Sequence, residues 1–237
     1  MIKGILFFLL ICAPPANAHI NIDLRPEFDD SYTAEIDPYA PKGLKVAYLS
    51  SVAIQVLDDG LPIGSGSGNY FKLGRDRFII TAAHVVEGME EILIIEKGFV
   101  VTNARVIYLD SEADIAILLP AEKLRYTKAI PFRRDINNQM GEKVYHCGHP
   151  AREGWHISEG LLTGTHTDTL LVNTFAWPGS SGSVLFDESG RVLGVLSAIR
   201  IGGPFGLPDV IEHIVLASNI KMLEHKTLKE LLRNVRL

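Results

Sequence analysis

Short apolar runs recur along the chain from about Val46 to Leu216, separated by polar and turn-forming residues. The first set comprises Val52–Leu57, Asn69–Phe71, Arg77–Thr81, Ile92–Ile95, Ala104–Tyr108 and Ile115–Leu118. The second comprises Lys143–His146, Gly160–Thr163, Leu170–Asn173, Ser183–Phe186, Val192–Leu196 and Ile214–Leu216. They are often rich in β-branched or aromatic residues, and Gly, Pro, Asp and Asn separate them, as in strands joined by turns. Six such runs in each half predict an all-β fold of two antiparallel six-stranded β-barrels. The boundaries fall at about 46–125 and 126–216, with a seam between Leu119 and Arg134. Asp187-Glu188-Ser189-Gly190 has the composition of a hairpin turn, and the Gly- and Pro-containing stretch 201–208 reads as a loop. A Gly-rich stretch, Gly64 to Gly68, precedes the run at Asn69.

The period changes at the end. Ser218 or Asn219 can cap a helix. Ile220, Leu223, Leu228, Leu231, Leu232 and Val235 then fall near helical spacing among Lys, Arg and Glu. A C-terminal α-helix over about 218–235, packed on the second barrel, is expected. At the other end, residues 19–45 are polar and contain Pro26, Pro38 and Pro41. They read as an N-terminal arm or propeptide. Lys3, the apolar run Ile5 to Cys12 and the small-x-small site Ala16-Asn17-Ala18 have the form of a secretory signal peptide cleaved before His19. The apolar run is too short to cross a bilayer. A secreted or periplasmic product with no membrane anchor after cleavage is expected.

Composition narrows the partners. With 237 residues, 47% of them hydrophobic, the chain can bury one sizeable core. The net charge is −5, and becomes −6 once a leader carrying one lysine and no acid is removed. Such a chain has no electrostatic footprint for nucleic acid or anionic lipid. Cleavage leaves Cys147 alone, so the core must hold the fold without an intramolecular disulfide, and a buried thiol is its expected fate. His146, His149, His156 and His166 lack the spacing of a metal motif. No metal and no cofactor are expected.

Three motifs carry chemistry: Thr81-Ala82-Ala83-His84-Val85, Asp114-Ile115-Ala116-Ile117-Leu118 and Pro178-Gly179-Ser180-Ser181-Gly182-Ser183. Each is weak alone. Their order of His, Asp and Ser, each at the edge of a predicted strand, gives them joint weight. A serine hydroxyl is a poor nucleophile at neutral pH and needs a base of near-neutral pKa within hydrogen-bond reach. His84 can be that base, Asp114 its orienting carboxylate and Ser181 the nucleophile.

On these motifs the chain resembles the trypsin-like, chymotrypsin-fold serine peptidases over about Val46 to Leu223. The worked triad of that family supplies the roles. The resemblance implies a serine endopeptidase acting on protein or peptide through an acyl-enzyme, with His84, Asp114 and Ser181 as its triad. It assigns the oxyanion hole to the N–H groups of Gly179 and Ser181. The frame places the nucleophile two residues after Gly179, so Ser180 is the variable position. Ser183 stands where the family usually has a second glycine and resembles the Ser-Gly-Ser variant of glutamyl endopeptidases. Family zymogens carry an aspartate at the position of Ser180 to receive a newly freed N-terminus. Its absence here implies activity without such trimming. The resemblance places the specificity pocket along Leu196-Ser197-Ala198-Ile199 with its base near Phe175. The pocket has no Asp at that base, and Leu196 stands where glutamyl endopeptidases have histidine. A small or aliphatic residue before the scissile bond is therefore expected. The chain also resembles the periplasmic high-temperature-requirement proteases, without their trailing peptide-binding domain. Trp177 could line the cleft or join the core. A pseudoprotease that binds peptides without cutting is the alternative. An α/β-hydrolase esterase would run Ser, Asp, His instead.

Overall fold

The computed structural model describes residues 36–150, 154–201 and 210–235, with the backbone alone over 198–201 and 210–213. The expected signal peptide and most of the expected arm lie outside these residues, as does the stretch 201–208 expected as a loop, apart from Ile201, which ends a strand.

Barrel one is built from β1 (Ser51–Asp58), β2 (Leu61–Leu73), β3 (Asp76–Thr81), β4 (Glu91–Ile95), β5 (Val101–Asp110) and β6 (Ile115–Pro120). The pairing order is β1-β4-β5-β6-β3-β2, and β2 returns to β1 to close the barrel. A two-residue strand, β7 (Ile130–Pro131), lies parallel to β2 on its outer side. Barrel two contains β8 (Lys143–Gly148), β9 (His156–Thr165), β10 (Thr169–Asn173), β11 (Val184–Phe186), β12 (Val192–Ile201) and β13 (Val210–Asn219). It closes in the order β10-β13-β12-β11-β8-β9. The expected two six-stranded antiparallel barrels are therefore present, and closure leaves few sheet edges open. The hairpin expected at 187–190 joins β11 to β12. Asp187 N–H donates to Arg191 O (2.9 Å), and Gly190 takes the left-handed φ of +77°.

One apolar cluster fills barrel one and runs on through the seam to Cys147, Val184, Phe186, Val192 and Val195 of barrel two. Phe71 is its hub, with ring centroids 5.4 Å from Phe132, 5.9 Å from Phe78 and 6.1 Å from Phe186. Each fully buried ring of this kind contributes about 1.5–3 kcal/mol, and one aromatic stack thereby ties the barrels together. A smaller cluster fills barrel two around Val144, Leu162, Leu170, Leu185, Leu193 and Leu196. Cys147 is fully buried, and burial pushes its thiol up to about 11.

Two helices differ from the expected pattern. The segment Lys42–Ser50, expected as the end of the arm and the start of a strand-rich region, is a helix, α1. It buries Gly43, Ala47 and Ser50. A Cβ at Gly43 would lie 2.0 Å from Asp187 O, so only glycine lets α1 seat on barrel two. From barrel one, the Lys97 ammonium reaches the end of α1, donating to Tyr48 O (2.6 Å) and Ser51 O (3.2 Å). A cation there complements the negative end of the helix dipole. At the other end, β13 continues to Asn219, a short 3-10 turn spans Ile220–Met222, and the terminal helix α3 occupies His225–Asn234. Its buried residues, Leu228 and Leu232, join the cluster of barrel one and the seam, and His225 stacks on Phe132 at 6.4 Å. The C-terminal helix is thus docked on the seam side rather than on the core of barrel two.

Candidate active site

The seam brings the three motifs to one place. β3 ends at Thr81, and residues Ala83–Val86 form a single helical turn, α2. Ala83, Val85 and Val86 are buried, which leaves His84 as the partly exposed side chain of that turn. Asp114 arrives from the other side. The Asp110 carboxylate accepts from Glu112 N–H (3.1 Å) and Ala113 N–H (2.9 Å), a side-chain-closed turn after β5. The turn delivers Asp114 just ahead of β6 in the left-handed region, at φ +50°. Aspartate tolerates that backbone better than most residues.

The Asp114 carboxylate is ringed by donors. His84 Nδ1 lies 2.9 Å from Oδ2 and 3.0 Å from Oδ1, and His84 backbone N–H donates to Oδ1 at 2.9 Å. Ser197 Oγ, from barrel two, donates to Oδ2. Burial by itself raises the pKa of this carboxyl. Hydrogen bonding and charge from His84, the Ser197 hydroxyl and the His84 N–H outweigh it and hold the group below its ordinary value. The acceptor on Nδ1 assigns the proton of neutral His84 to that nitrogen and leaves Nε2 with a free lone pair.

Ser181 lies in the loop between β10 and β11. Gly182 (φ +87°) and Gly179 (φ +100°) flank it with backbone that only glycine adopts freely. A Cβ at Gly182 would lie 2.2 Å from both Ser67 O and Thr81 Oγ1, so the loop presses against the strand end that leads to His84. Ser67 N–H donates to Ser181 O (2.7 Å), Gly182 N–H to Leu196 O (2.7 Å) and Leu196 N–H to Ser183 O (2.8 Å). Among the described residues, no hydrogen bond joins Ser181 Oγ to His84 Nε2, and the N–H groups of Gly179 and Ser181 have no acceptor. Nucleophile–base bonds of this kind are often long without substrate and tighten in the complex. The structure therefore joins His84 to Asp114 directly and seats the main chain of the Ser181 loop against β2 and the end of β3 that leads to His84.

The expected pocket residues separate. Phe175 is half-exposed, and its carbonyl accepts from the Nε2 of His146 (3.1 Å), a buried histidine on β8. Burial pushes His146 down to about 4, which the Phe175 carbonyl only partly opposes. A neutral imidazole thus backs the Phe175 loop. Trp177 is half-exposed beside the Ser181 loop and outside the core. Leu196 corrects the expected pocket wall: its side chain is 2% exposed within the barrel-two core, and only its main chain reaches the site, where it holds Gly182 and Ser183. Ser197 turns to Asp114 instead of outward. Ala198 and Ile199 continue β12, paired with Leu216 and Val215. The tie from Ser197 to Asp114 and the contacts of Ser67 are not read from the motifs. A trace of the second is present as the Gly64-Ser65-Gly66-Ser67-Gly68 alternation. It lies inside β2, where glycine marks close backbone approach. A Cβ at Gly66 would lie 2.6 Å from Val85 Cγ1 and 3.1 Å from Ser181 O.

Two closed barrels, a histidine and aspartate bonded at their seam and a glycine-flanked serine loop packed on the strand end before that histidine are features of a trypsin-like peptidase domain. Residues 66–195 match that family, and the chain belongs to it. It is 29% identical over 178 residues to a protein of Bartonella henselae named a probable periplasmic serine endoprotease, DegP-like, covering 70% of this chain and 35% of that one. The chloroplastic protease Do-like 1 of Arabidopsis thaliana is 26% identical over 172 residues, covering 65% of this chain and 38% of that one. The chain thus spans little more than a third of these two relatives. Among solved structures, a serine endoprotease from Yersinia pestis superposes with a TM-score of 0.64 at 22% identity, over 81% of this chain and 65% of that one. The HtrA-type protease AlgW, solved with a tripeptide, gives 0.65 at 19%, over 81% and 63%. At these identities the likeness is one of fold.

Proposed function

We propose that this chain is an exported serine endopeptidase. His84 Nε2 takes the proton of Ser181 Oγ as the oxygen attacks the scissile carbonyl. The N–H groups of Gly179 and Ser181 receive the oxyanion. Collapse expels the amine with the proton from His84 and leaves an ester on Ser181. Water, deprotonated by His84, then attacks the ester, and His84 returns that proton to Ser181 Oγ as the acid leaves. Asp114 orients the imidazole and stabilises its charged form. The observation that carries this reading is the two-point bond from His84 to Asp114 beside free N–H groups on the Ser181 loop. The substrate is protein or peptide, as the peptide-bound AlgW suggests for the fold. The residue before the scissile bond is small or aliphatic, since neutral His146 and half-exposed Phe175 offer no charge to an ionic side chain. The leader-like residues 1–18 and the periplasmic naming of the relatives support export.

The test is digestion of an unstructured protein with fragment sequencing, alongside labelling by a fluorophosphonate. Wild type is expected to cut and to be labelled on Ser181, and Ser181→Ala to lose at least ~1,000-fold in rate. Unchanged cleavage by Ser181→Ala overturns the mechanism. Folded wild type that is neither labelled nor able to cut any peptide favours the pseudoprotease.

A further inference from the structure

Three consecutive carbonyls of the nucleophile loop are all turned inward and held. Gly179 O accepts from Ser67 Oγ at 2.7 Å. Ser180 O accepts from Ser183 Oγ at 2.7 Å and Ser183 N–H at 3.0 Å. Ser181 O accepts from Ser67 N–H at 2.7 Å. Ser67 and Ser183 are both fully buried. Ser67 is held in turn, because its Oγ accepts from His149 N–H (2.9 Å) and its carbonyl accepts from Thr81 Oγ1 (2.7 Å). The two hydroxyls close over Gly148, where a Cβ would lie 2.5 Å from Ser183 Oγ, 3.2 Å from Ser180 Cα and 3.3 Å from Ser67 Oγ.

This arrangement answers a weakness of the loop. Gly179 has no Cβ to resist rotation of the peptide planes on either side, so its N–H can turn away from substrate at little steric cost. A carbonyl is coplanar with the next residue's N–H, so the bonds to Ser180 O fix the plane that carries the Ser181 N–H, and the bonds to Gly179 O and Ser181 O fix the planes on either side of it. Ser180 cannot supply an ionic anchor. Its hydroxyl is spent locally, accepting from Trp177 N–H at 3.3 Å.

We propose that Ser67 and Ser183 are the positioning residues of the oxyanion hole: a clamp of two hydroxyls, one from each barrel, that holds the three peptide planes from Gly179 to Gly182, the middle one carrying the Ser181 N–H, without a newly freed N-terminus. The proposal rests on the peptidase reading above. It makes activity independent of the state of the residues that precede α1, because the clamp is complete within 67–183.

The test compares wild type, Ser67→Ala and Ser183→Gly on a peptide ester, with rates normalised to sites titrated by a fluorophosphonate. Ser67→Ala is expected to lower kcat per titrated site by ~10–100-fold with KM within ~3-fold. Its affinity for a peptide aldehyde, which presents an oxyanion, is expected to fall in parallel. Ser183→Gly, which adds no bulk and so avoids failure by crowding, is expected to lose ~3–10-fold in the same sense. If both variants keep wild-type kcat and aldehyde affinity per titrated site, the clamp is overturned, even where the fraction of titratable protein falls. Wild type that neither reacts with the fluorophosphonate nor hydrolyses the ester overturns the peptidase reading, and the clamp with it.

Discussion

Replacing Glu96 with glutamine tests how the chain between the barrels is held. Glu96 follows β4 and is fully buried. Its Oε1 accepts from Arg125 N–H (3.0 Å), and its Oε2 from Tyr126 N–H (2.8 Å) and Thr127 N–H (2.8 Å). Three successive amides of the inter-barrel segment thus share one carboxylate, and the next, Lys128 N–H, reaches Leu49 O of α1. Glutamine keeps one oxygen. If it occupies the Oε2 position, two bonds survive as neutral ones and lose roughly 1 kcal/mol each. The third amide faces an NH2 group and loses about 1.5–3 kcal/mol. Relief from burying a charge returns part of this. A net loss of about 2–4 kcal/mol is expected, a large share of the ~5–15 kcal/mol stability of an ordinary domain. Urea denaturation reads it directly. With a slope of ~2–3 kcal/mol/M, the midpoint falls by about 1 M. Glu96→Ala, which leaves all three amides without an acceptor, is expected to fall further. A glutamine variant within ~0.2 M of wild type would show that the carboxylate does not anchor this segment.

Two further outcomes follow from the same geometry. Ser197→Ala removes one donor from Asp114 but leaves both bonds to His84. It should lower kcat/KM by ~5–30-fold, about 1–2 kcal/mol, and an unchanged value in ester hydrolysis would detach Ser197 from the site. Burial pushes His146 down to about 4 and His149 to about 3, both below the ordinary 6.5. Below pH 6.5 the unfolded chain therefore binds protons that the folded one refuses. Stability is full above that pH and is lost as pH falls towards 4, at up to about 2.7 kcal/mol per unit for the pair. A melting temperature that stays flat from pH 7 to 4.5 would contradict this.

The strands were legible because each carries a β-branched or aromatic run between turn residues, and all twelve barrel strands overlap such runs. α1 was not legible, because its contact face is Gly43, Ala47 and Ser50. Small residues chosen for close approach leave no hydrophobic period to detect. The Gly64–Gly68 stretch carries no strand signal of its own for a related reason. Its glycines make room for Val56, Val85 and the Ser181 main chain, a demand set by parts of the fold distant in sequence. The motif residues His84, Asp114 and Ser181 were legible as types at strand edges. The partners Ser67 and Ser197 were not, since a serine within a strand carries no local mark of the carbonyl or carboxylate it will meet. Leu196 misled because its strand borders the cleft while its side chain points into the barrel.

The left-handed backbone at Asp114 limits which replacements the position can accept. Most side chains would be strained there, β-branched ones most of all, whereas asparagine and glycine fit with little cost. The replacements that spare the fold therefore leave His84 without a carboxylate anchor. Random substitution at this codon should yield two groups: well-folded proteins lacking the anchor, and strained ones. Inactive relatives descending from such a chain would be expected to carry Asn or Gly here more often than Ala or Val.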